Sequence, residues 1–380
     1  MNQRPRSGRP IVIAGGGTGG HAVPALAVAQ ALVRRGHDRA DIRFVGSRRG
    51  LEATLVPEAG FAISLLPGRG IPRRPSLTGL AAAAALAAAC VMALWLLGRH
   101  RPAVVLSVGG YASLPCAFAA VVLRVPLVLT DQNAVAGASN RLVGRFAAAA
   151  AVAFPGTDLP RAVLTGTPVR DEVVAVDRSP EGRAKARAVL DLPEDVRVVA
   201  VTGGSLGART INRAAVGLAR RWSERPGIAL HHVVGRRDWA DVAADAPPSA
   251  EGGLLYRAVE YEDRMPTVLA AADVMVCRAG GSTVAELTAV GVASILVPLP
   301  HAPGDHQSAN AAALARAGAA VVVSDDQFDT ARLADLLGQL LDTPGRLQEM
   351  EEAARSLGRP GAADLVAELV ESTGASGGRR

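Results

Sequence analysis

Glycine-rich stretches in this chain have the composition of loops that bind phosphate groups. The stretch Gly15-Gly16-Gly17-Thr18-Gly19-Gly20-His21 follows an apolar run and precedes a helical pattern. Glycines let backbone N–H groups converge on an anion, and the positive end of the following helix adds to the attraction. The stretch also satisfies the dinucleotide pattern GxGxxG, but the next strand ends in Phe44-Val45-Gly46-Ser47, without an acid for a ribose. Nicotinamide binding is therefore not favoured.

Two further glycine stretches follow apolar runs. Gly109-Gly110-Tyr111 lies in the same half of the chain and is either a second anion loop or a tight turn between strand and helix. Two such loops at the carboxyl edge of one sheet would suit a diphosphate. In the other half stands Gly203-Gly204-Ser205-Leu206-Gly207-Ala208, in which the Ser205 hydroxyl can add a donor to the amides. No Lys-Ser or Lys-Thr pair follows, so this is not a P-loop.

A stretch that could bind a ribose runs from Cys277 to Glu286, with the sequence CRAGGSTVAE. A strand is expected to end at Cys277, and a helix to begin near Thr283. A carboxylate at Glu286 could accept hydrogen bonds from two vicinal hydroxyls; the alternative is a capping box of Thr283 and Glu286. Asp305-His306-Gln307 and Asn310 follow the next strand, and we expect them at the same sheet edge.

The elements that position these residues alternate between strand and helix, and the alternation starts twice. Apolar runs at 11–14, 42–45, 104–108 and 126–129 are separated by helical stretches, and the pattern restarts at 196–202. This predicts an α/β protein with parallel sheets. The glycine loops at 15–20 and 203–208 occupy equivalent places, so two Rossmann-like domains are expected, joined near 167–171. A length of 380 residues fits two domains.

Composition narrows the class of protein. Apolar residues make up 49% and charged residues 20%, which excludes wholesale disorder. The cysteines Cys90, Cys116 and Cys277 are too sparse for a disulfide scaffold or a zinc ribbon, and they favour a reducing cytosol. Residues 1–170 contain 19 arginines and six acidic residues, a net charge of +13, whereas the remainder has 22 basic and 29 acidic residues, a net charge of −7. The first half should therefore meet a phosphorylated substrate or an acidic membrane surface; no recognisable nucleic-acid module is present.

The segment 75–98 contains 24 uncharged residues between arginines and has the length of a membrane-spanning helix. Much of it is alanine, it lies between strands of one predicted sheet, and arginines flank both ends, so no positive-inside asymmetry exists. Ordinary buried helices and a partly exposed, membrane-facing helix are the favoured alternatives.

The ordered set of motifs resembles the bacterial cell-wall family of UDP-N-acetylglucosamine–undecaprenyl-pyrophosphoryl-N-acetylmuramoyl-pentapeptide N-acetylglucosaminyltransferases (MurG family). The matching pieces cover nearly the whole chain: GGTGGH at 16–21, VGGY at 108–111, DQN at 131–133, FPG at 154–156, TGTPVR at 165–170, GGSLGAR at 203–209, CRAGGSTVAE at 277–286 and DHQSANA at 305–311. The resemblance implies a GT-B fold, with two Rossmann-like domains whose parallel sheets face a central cleft. It implies an acceptor domain of residues 1–168, a UDP-GlcNAc domain of 169–357 and a helix at about 360–371 packing back onto the first. Apart from the resemblance, the composition of residues 372–380, STGASGGRR, predicts a disordered tail.

The activity implied by the resemblance is an inverting transfer of GlcNAc from UDP-GlcNAc to the 4-hydroxyl of MurNAc in lipid I, which gives lipid II and UDP. The family's UDP-GlcNAc-binding positions correspond to Thr18, Gly19, Gly20, Asn133, Arg170, Ser205, Gly281, Ser282, Thr283, Val284, Ala285, Glu286 and Gln307. The acceptor diphosphate is expected at Gly16, Gly17, Gly109, Gly110 and Tyr111. We expect His21 to be the general base, with Asp131 and Glu262 as rivals.

No cofactor or metal is expected, because helix termini and arginines can neutralise a diphosphate. The implied partners are UDP-GlcNAc, lipid I, the cytoplasmic face of an anionic membrane on which the protein is peripheral, and other cell-wall synthesis proteins. Nucleic acid is not expected. Two alternatives stay open: a GT-B sugar-nucleotide epimerase, which would need no lipid acceptor, and a non-catalytic lipid-diphosphate binding protein, which would not need the motif at 277–286.

Overall fold

A computed structural model of the chain describes residues 8–67, 77–110, 112–204, 206–248 and 252–377. The chain divides into two compact domains, the first formed by Met1–Arg170 with Arg359–Arg380 and the second by Asp171–Gly358. The first boundary is predicted two residues earlier, at 168. Tyr111, Ser205 and the arginines at 69, 73 and 74 lie outside the described residues.

The helices and strands alternate in both domains. The first contains β1 (Ile11–Ala14), α1 (Gly19–Arg34), β2 (Ile42–Ser47), α2 (Glu52–Glu58), β3 (Ala62–Leu66), α3 (Leu77–His100), β4 (Val104–Ser107), α4 (Ser113–Val122), β5 (Leu127–Asp131), α5 (Ala138–Val143), β6 (Ala149–Val152) and β7 (Ala162–Leu164). The second contains α6 (Asp171–Val174), α7 (Pro180–Val189), β8 (Arg197–Thr202), α8 (Arg209–Arg221), β9 (Ile228–Val233), α9 (Trp239–Asp245), β10 (Leu255–Val259), α10 (Met265–Ala271), β11 (Val274–Cys277), α11 (Gly281–Val290), β12 (Ala293–Leu296), α12 (His306–Arg316), β13 (Ala320–Val322), α13 (Thr330–Asp342) and α14 (Arg346–Leu357). The last helix, α15 (Ala362–Gly377), belongs to the first domain.

Each domain is built on one parallel sheet. The first sheet has the order β3-β2-β1-β4-β5-β6-β7, and the second has the order β10-β9-β8-β11-β12-β13. The central strands are almost entirely apolar because helices cover both faces, and β1, β4 and β11 are buried at every residue. The strand order reverses once in each sheet, beside the first strand of the domain. The reversal lies between β1 and β4 in the first sheet and between β8 and β11 in the second.

Helix α1 begins earlier than the sequence predicts. Pro24 suggests a start at residue 24, since proline is favoured in the first turn. In the structure the Thr18 carbonyl accepts hydrogen bonds from the amides of His21 and Ala22, at 3.1 Å each, so the helix begins at Gly19 and Pro24 lies inside it. His21 therefore lies in the first turn of the helix.

The expectation of a disordered tail from Ser372 differs from the structure, in which α15 continues to Gly377. The Ser372 and Ser376 hydroxyls donate to backbone carbonyls one turn earlier, and Gly374 lies beside Ala103 and Val104 at the start of β4. Earlier in the same helix, buried Val366, Ala367 and Val370 pack on α1. An ion pair joins the Arg35 Nη2 and Glu371 Oε2 atoms at 2.8 Å. The neighbouring helix and sheet thus order a segment whose composition alone indicates a coil.

Helix α3 is part of the first domain's core and also exposes an apolar face. Ala89, Ala93 and Leu97 are buried against α4, whereas Val91 and Trp95 are 67% and 61% exposed. By length and composition alone, one window among the described residues, Ala82–His100, is apolar enough to cross a membrane, with a mean hydropathy of 1.8 and 28% of the window buried. The same helix connects β3 to β4, which belong to one sheet.

Two buried histidines in β9 give the second domain a pH-dependent stability. His231 and His232 are 1% and 0% exposed, and burial lowers the pKa of each to about 4. His232 is held between the Tyr256 hydroxyl at 2.9 Å and the Asn212 Oδ1 at 3.0 Å. The unfolded chain, with histidine pKa values of about 6.5, therefore takes up these protons first as the pH falls.

We predict that these two histidines do not reduce the free energy of unfolding of this domain above about pH 6.5. As the pH falls from there toward 4, the free energy of unfolding should decrease by up to about 3 kcal/mol per histidine. Denaturant unfolding at a series of pH values measures the slope. His232→Gln removes one of the two titrating groups and should roughly halve the slope between about pH 5 and 6.5. An unchanged slope in this variant would contradict the assignment.

Candidate functional site

The first candidate site lies where the strand order of the first sheet reverses. Strands β1 and β4 are neighbours, while β2 and β5 lie on opposite sides of them. The chain therefore leaves their carboxyl ends toward opposite sides of this point, which is the usual ligand position in an open parallel sheet. The loops that follow these two strands are the predicted glycine stretches at 15–20 and 109–110.

The two loops approach each other at a distance that only glycine allows. The Gly16 amide donates to the Gly109 carbonyl at 3.1 Å. A Cβ atom on Gly110 would lie 1.9 Å from the Gly16 carbonyl oxygen, and one on Gly15 would lie 2.4 Å from the Gly109 oxygen. Gly110 also has a positive φ of 81°, which disfavours other residues. Gly15 and Gly110 are thus explained by packing of backbone on backbone.

The amides of Gly16 and Gly17 are expected to bind the acceptor diphosphate, but in the structure they donate hydrogen bonds within the domain. Gly15 donates to the Val45 carbonyl at 3.0 Å, Gly16 to Gly109, and Gly17 to the Glu52 Oε2 atom at 2.6 Å. Since these amides have partners within the domain, the amides at the start of α1 are the better candidates for an anion, and this moves Thr18 and Gly19 from the predicted UDP-GlcNAc site to the candidate acceptor site. The amides of Thr18 and Gly19 have no hydrogen-bond partner among the described residues, and they stand at the positive end of that helix.

His21 lies against the second loop. A Cβ atom on Gly109 would come within 2.9 Å of the imidazole Cε1, so the ring occupies the space that a side chain there would take. The ring faces the Val108 carbonyl and the Gln132 amide, but its Nδ1 is buried without a partner in hydrogen-bonding geometry among the described residues. Burial lowers the pKa of His21, against smaller opposing effects led by the Asp131 carboxylate. A neutral imidazole is favoured, chiefly by burial and not by the helix end.

Asp131, one rival for the base, is committed to the loop after β5. Its carboxylate accepts from the Asn133 amide at 3.1 Å, the Gly137 amide at 2.8 Å and the Asn140 Nδ2 at 2.9 Å, and the residue is 4% exposed. Such a carboxylate shapes the loop. Asn133 stands in that loop and is partly buried.

The second candidate site repeats the arrangement between β8 and β11. The loop after β8 is closed by glycines: a Cβ atom on Gly203 would lie 2.2 Å from the Ala208 amide, and one on Gly207 would lie 2.4 Å from the Val234 carbonyl oxygen. The loop after β11 leads directly into α11. Both loops leave the carboxyl ends of adjacent strands at the second reversal of strand order.

The capping-box alternative for Thr283 and Glu286 is wrong. Helix α11 begins at Gly281, with Gly280 as the N-cap residue, so Thr283 is the third residue of the helix and Glu286 lies in its second turn. The predicted donor residues Gly281, Ser282, Thr283, Val284 and Ala285 form the first turn and a half, where backbone amides point along the helix axis. Glu286 lies near the buried Cys277 thiol, whose pKa burial and then this carboxylate raise to about 12.

The loop between β11 and α11 is held by the polar segment that follows β12. The Gln307 Oε1 accepts from the amides of Ala279 at 3.2 Å and Leu299 at 2.9 Å, and the Asn310 Nδ2 donates to the Ala279 carbonyl at 3.0 Å. Gln307 thus lies at the same sheet edge as the start of α11, as the sequence predicts. His306 instead faces the Pro303 carbonyl at 2.8 Å, within its own loop.

Other predicted residues lie elsewhere in the two domains. Glu262, the second rival for the base, accepts from the Arg264 amide and Nε at 3.0 Å each, and it stands 3.7 Å from His231. It belongs to the second domain, whereas the loops at 15–20 and 109–110 belong to the first. Arg170 is the last residue of the first domain and is partly buried.

Three residues of these sites were not predicted. Glu52 binds the first glycine loop, Gln132 faces His21, and Arg278 donates to the carbonyls of Val297 and Pro298 at 3.1 Å each, which ties the β11 loop to β12. Gln132 and Arg278 stand inside stretches that the sequence analysis quotes. Glu52 has only a weak signal, as the single acidic residue in the stretch 42–57. Within the described part of the chain, no group of three or more His, Cys, Asp or Glu side chains could hold a metal ion.

Comparison with known proteins identifies the family. The model of the glycosyltransferase family 28 N-terminal domain matches residues 11–152, and that of the family 28 C-terminal domain matches residues 198–366. The chain belongs to glycosyltransferase family 28. The two matched ranges contain the two reversal points of strand order, one in each domain of this family 28 protein.

Curated relatives of this family 28 protein match along nearly its whole length. The UDP-N-acetylglucosamine–N-acetylmuramyl-(pentapeptide) pyrophosphoryl-undecaprenol N-acetylglucosamine transferase of Desulforudis audaxviator is 37% identical over 97% of this chain and 100% of that protein. The transferase of the same name from Alkalilimnicola ehrlichii is 42% identical over 95% and 98%. The resemblance found in the sequence is therefore confirmed.

Solved structures show the same two-domain architecture. The crystal structure of Acinetobacter baumannii MurG is 28% identical, has a TM-score of 0.77 and covers 96% of this chain and 99% of its own. A UDP-GlcNAc 2-epimerase from Neisseria meningitidis, solved with UDP-GlcNAc bound, is 12% identical with a TM-score of 0.64, covering 96% and 100%, which shows a shared fold alone. The predicted α/β class with two Rossmann-like, GT-B domains is confirmed.

Proposed function

We propose that this protein transfers GlcNAc from UDP-GlcNAc to the 4-hydroxyl of the MurNAc residue of lipid I, with inversion at the anomeric carbon, and so forms lipid II and UDP. The observation that carries the proposal is the full-length match, at 37–42% identity, to transferases named for this reaction. The epimerase alternative has support from fold alone, at 12% identity.

The first domain would hold the acceptor and its base. The start of α1 offers amides for the acceptor diphosphate, and His21 lies one turn away, beside Gly109. As the 4-hydroxyl oxygen forms its bond to the anomeric carbon, His21 takes the hydroxyl proton, and the bond from that carbon to the diphosphate breaks with its electron pair leaving on UDP. A largely neutral imidazole is the form that accepts a proton.

The second domain would hold the donor. The start of α11, at the positive end of that helix, follows the strand next to the one that the loop at 203–208 leaves, and this suits the UDP diphosphate, with Ser205 as an added hydrogen-bond donor. Glu286 would accept hydrogen bonds from the ribose hydroxyls, and backbone groups near Tyr261–Met265 would select uracil. We propose that these dipoles and arginines, and not a metal ion, neutralise the diphosphate.

The test of the activity is to incubate the full chain with UDP-GlcNAc and a short-chain lipid I analogue and to follow UDP release and the disaccharide lipid. We expect both products in equal amounts and only when the acceptor is present. UDP-GlcNAc turned into its 2-epimer without acceptor would support the epimerase, and lipid binding without turnover would support a non-catalytic protein.

For the donor site we predict that Glu286→Ala weakens UDP-GlcNAc binding by about 1–3 kcal/mol, because a hydrogen bond to a charged group is lost. Titration calorimetry measures the affinity. Glu194→Ala, which removes an exposed glutamate of the same domain, is the matched control and should bind normally. Equal affinities for the two variants would remove Glu286 from the donor site.

For the base we predict that His21→Ala lowers kcat by about 10²- to 10⁴-fold while the affinity for UDP-GlcNAc is retained. His100→Ala, at the end of α3, is the control histidine variant and should keep a normal kcat. A parallel loss of donor affinity in His21→Ala would indicate a binding role, and a normal kcat would exclude His21 from the reaction.

We also propose that the first domain binds the cytoplasmic face of the membrane peripherally, where lipid I would be reached. Large apolar side chains are exposed on α3, α4 and α5, which pack in sequence, and on the turn that follows α5. They are Trp95 at 61%, Phe118 at 48%, Leu142 at 62% and, in the turn, Phe146 at 50%. Arginines accompany them, with Arg99 6.0 Å from the Trp95 ring centre and Arg145 4.6 Å from that of Phe146. Other cell-wall synthesis proteins are expected partners on the same membrane.

The membrane prediction is tested by flotation with anionic vesicles. Binding should weaken as salt rises, because the charge attraction acts within a Debye length, and Trp95→Ser should weaken it further. Val189→Ser changes an apolar residue of the second domain that is 50% exposed, and it should float like the parent protein. Binding that survives high salt and carbonate would contradict a peripheral attachment.

A further inference from the structure

Glu52 is a buried carboxylate that no step of the proposed reaction uses. It is the first residue of α2 and only 1% exposed. Glycines surround its carboxyl group: a Cβ atom on Gly16 or Gly50 would lie 2.1 Å or 2.0 Å from it, and one on Gly46 would lie 2.4 Å from its Cγ. The chain therefore uses glycine at three positions to make room for one acid. A buried charge is costly without partners, so its contacts are informative.

The carboxylate joins two segments through hydrogen bonds from N–H and O–H donors. Its Oε2 accepts from the Gly17 amide at 2.6 Å, and its Oε1 accepts from the Ser47 amide at 2.7 Å and the Ser47 hydroxyl at 3.0 Å. Ser47 ends β2, and Gly17 stands in the first glycine loop. Charge-assisted bonds of this length are strong and directional, so they hold the loop to the neighbouring strand.

The segment that Glu52 holds leads directly to the base. Gly17 is followed by Thr18 and Gly19, whose amides we propose to bind the acceptor diphosphate. The Thr18 carbonyl accepts a hydrogen bond from the His21 amide. A shift of Gly17 would therefore move both the donors and the imidazole. Displacements of about 1 Å in such groups reduce rates strongly.

Two carboxylates act on the His21 ring by their charge. Asp131, from the end of β5, has the larger effect and Glu52, from α2, a smaller one; both raise the pKa of His21 against the lowering caused by burial. Their structural tasks differ, because Asp131 bonds to the loop after β5 and Glu52 bonds to the loop that carries His21.

We propose that Glu52 is a positioning residue for the transfer reaction: its carboxylate fixes Gly17 against Ser47 and thereby sets the place of the α1 amides and of His21. This inference rests on the proposed function. Glu52 does not touch the reacting atoms. When His21 takes the acceptor proton and becomes an imidazolium, the nearby negative charge stabilises it while UDP leaves.

The test compares four variants of the full chain in the transfer assay, with kcat, the two KM values and the pH profile of kcat as readouts. Glu52→Gln removes the charge and presents an NH₂ group to one of the two amides that the carboxylate binds. Glu52→Asp keeps the charge but is one methylene too short to span both segments. Ser47→Ala removes only the hydroxyl bond to Oε1. Glu58→Gln, at the exposed end of the same helix, is the control.

For Glu52→Gln we expect kcat to fall about 10- to 100-fold, the donor KM to stay unchanged, and the acid limb of the pH profile to move to lower pH. The limb moves because loss of the carboxylate lowers the pKa of His21, and the neutral base then persists into more acidic solution. Glu52→Asp should lose rate without moving the limb. Ser47→Ala should lose rate by less, and Glu58→Gln should match the parent in every readout.

Unfolding curves show whether each variant is folded, and affinity for UDP, which we propose binds the second domain, shows that the donor site is unchanged. Should Glu52→Gln not fold, Glu52→Asp still decides: a parent-like kcat in that variant overturns the proposal. A uniform loss of kcat, donor affinity and stability without any change of pH profile would also overturn it, since a purely structural residue behaves so. A parent protein that makes no lipid II would instead refute the proposed function.

Discussion

The structure of the first domain depends on the close approach of two backbones at the carboxyl edge of its sheet. The loops after β1 and β4 touch through Gly16 and the pair Gly109 and Gly110, at a distance that leaves no room for a Cβ atom. Because strand order reverses between these strands, the usual ligand position of an open parallel sheet lies at this point. The imidazole of His21 occupies the space above Gly109, so the same contact that closes the loops also places the proposed base.

The second domain has a similar arrangement of loops, but different side chains hold them. Its loop after β8 is again closed by glycines, and α11 begins at Gly281 as α1 begins at Gly19. A carboxylate, Glu52, holds the first loop, whereas amide side chains, Gln307 and Asn310, hold the second. The difference suits the chemistry proposed for each domain: a negative charge supports a base that becomes a cation, while neutral amides add no repulsion to a bound nucleotide diphosphate.

Much of this could be predicted from the sequence, because local patterns determine it. The alternation of apolar runs with helical stretches and the glycine loops predicted two parallel-sheet domains, and the ordered motifs predicted the family. The positions of helix starts could not be predicted as well: Pro24 and Thr283 suggest starts at residues 24 and 283, but hydrogen bonds to Thr18 and the conformation of Gly280 begin the helices earlier. Glu52 escaped prediction because its partner Gly17 is 35 residues away, and α15 continues past Ser372 because a sheet edge supports it. The helix starts are set by local hydrogen bonds and backbone conformation, whereas contacts distant in sequence decide the last two cases.

The most direct test compares the transfer rates and UDP affinities of the variants Gly110→Ala and Gly17→Ala. Both glycines have positive φ, so both variants carry comparable backbone strain, but a Cβ atom on Gly17 meets nothing within 4 Å, whereas one on Gly110 meets the Gly16 carbonyl oxygen. The account predicts that Gly110→Ala loses transfer by at least about 100-fold more than Gly17→Ala, with UDP affinity unchanged in both. Equal transfer rates in the two variants would contradict the claim that the contact between these loops positions the reaction.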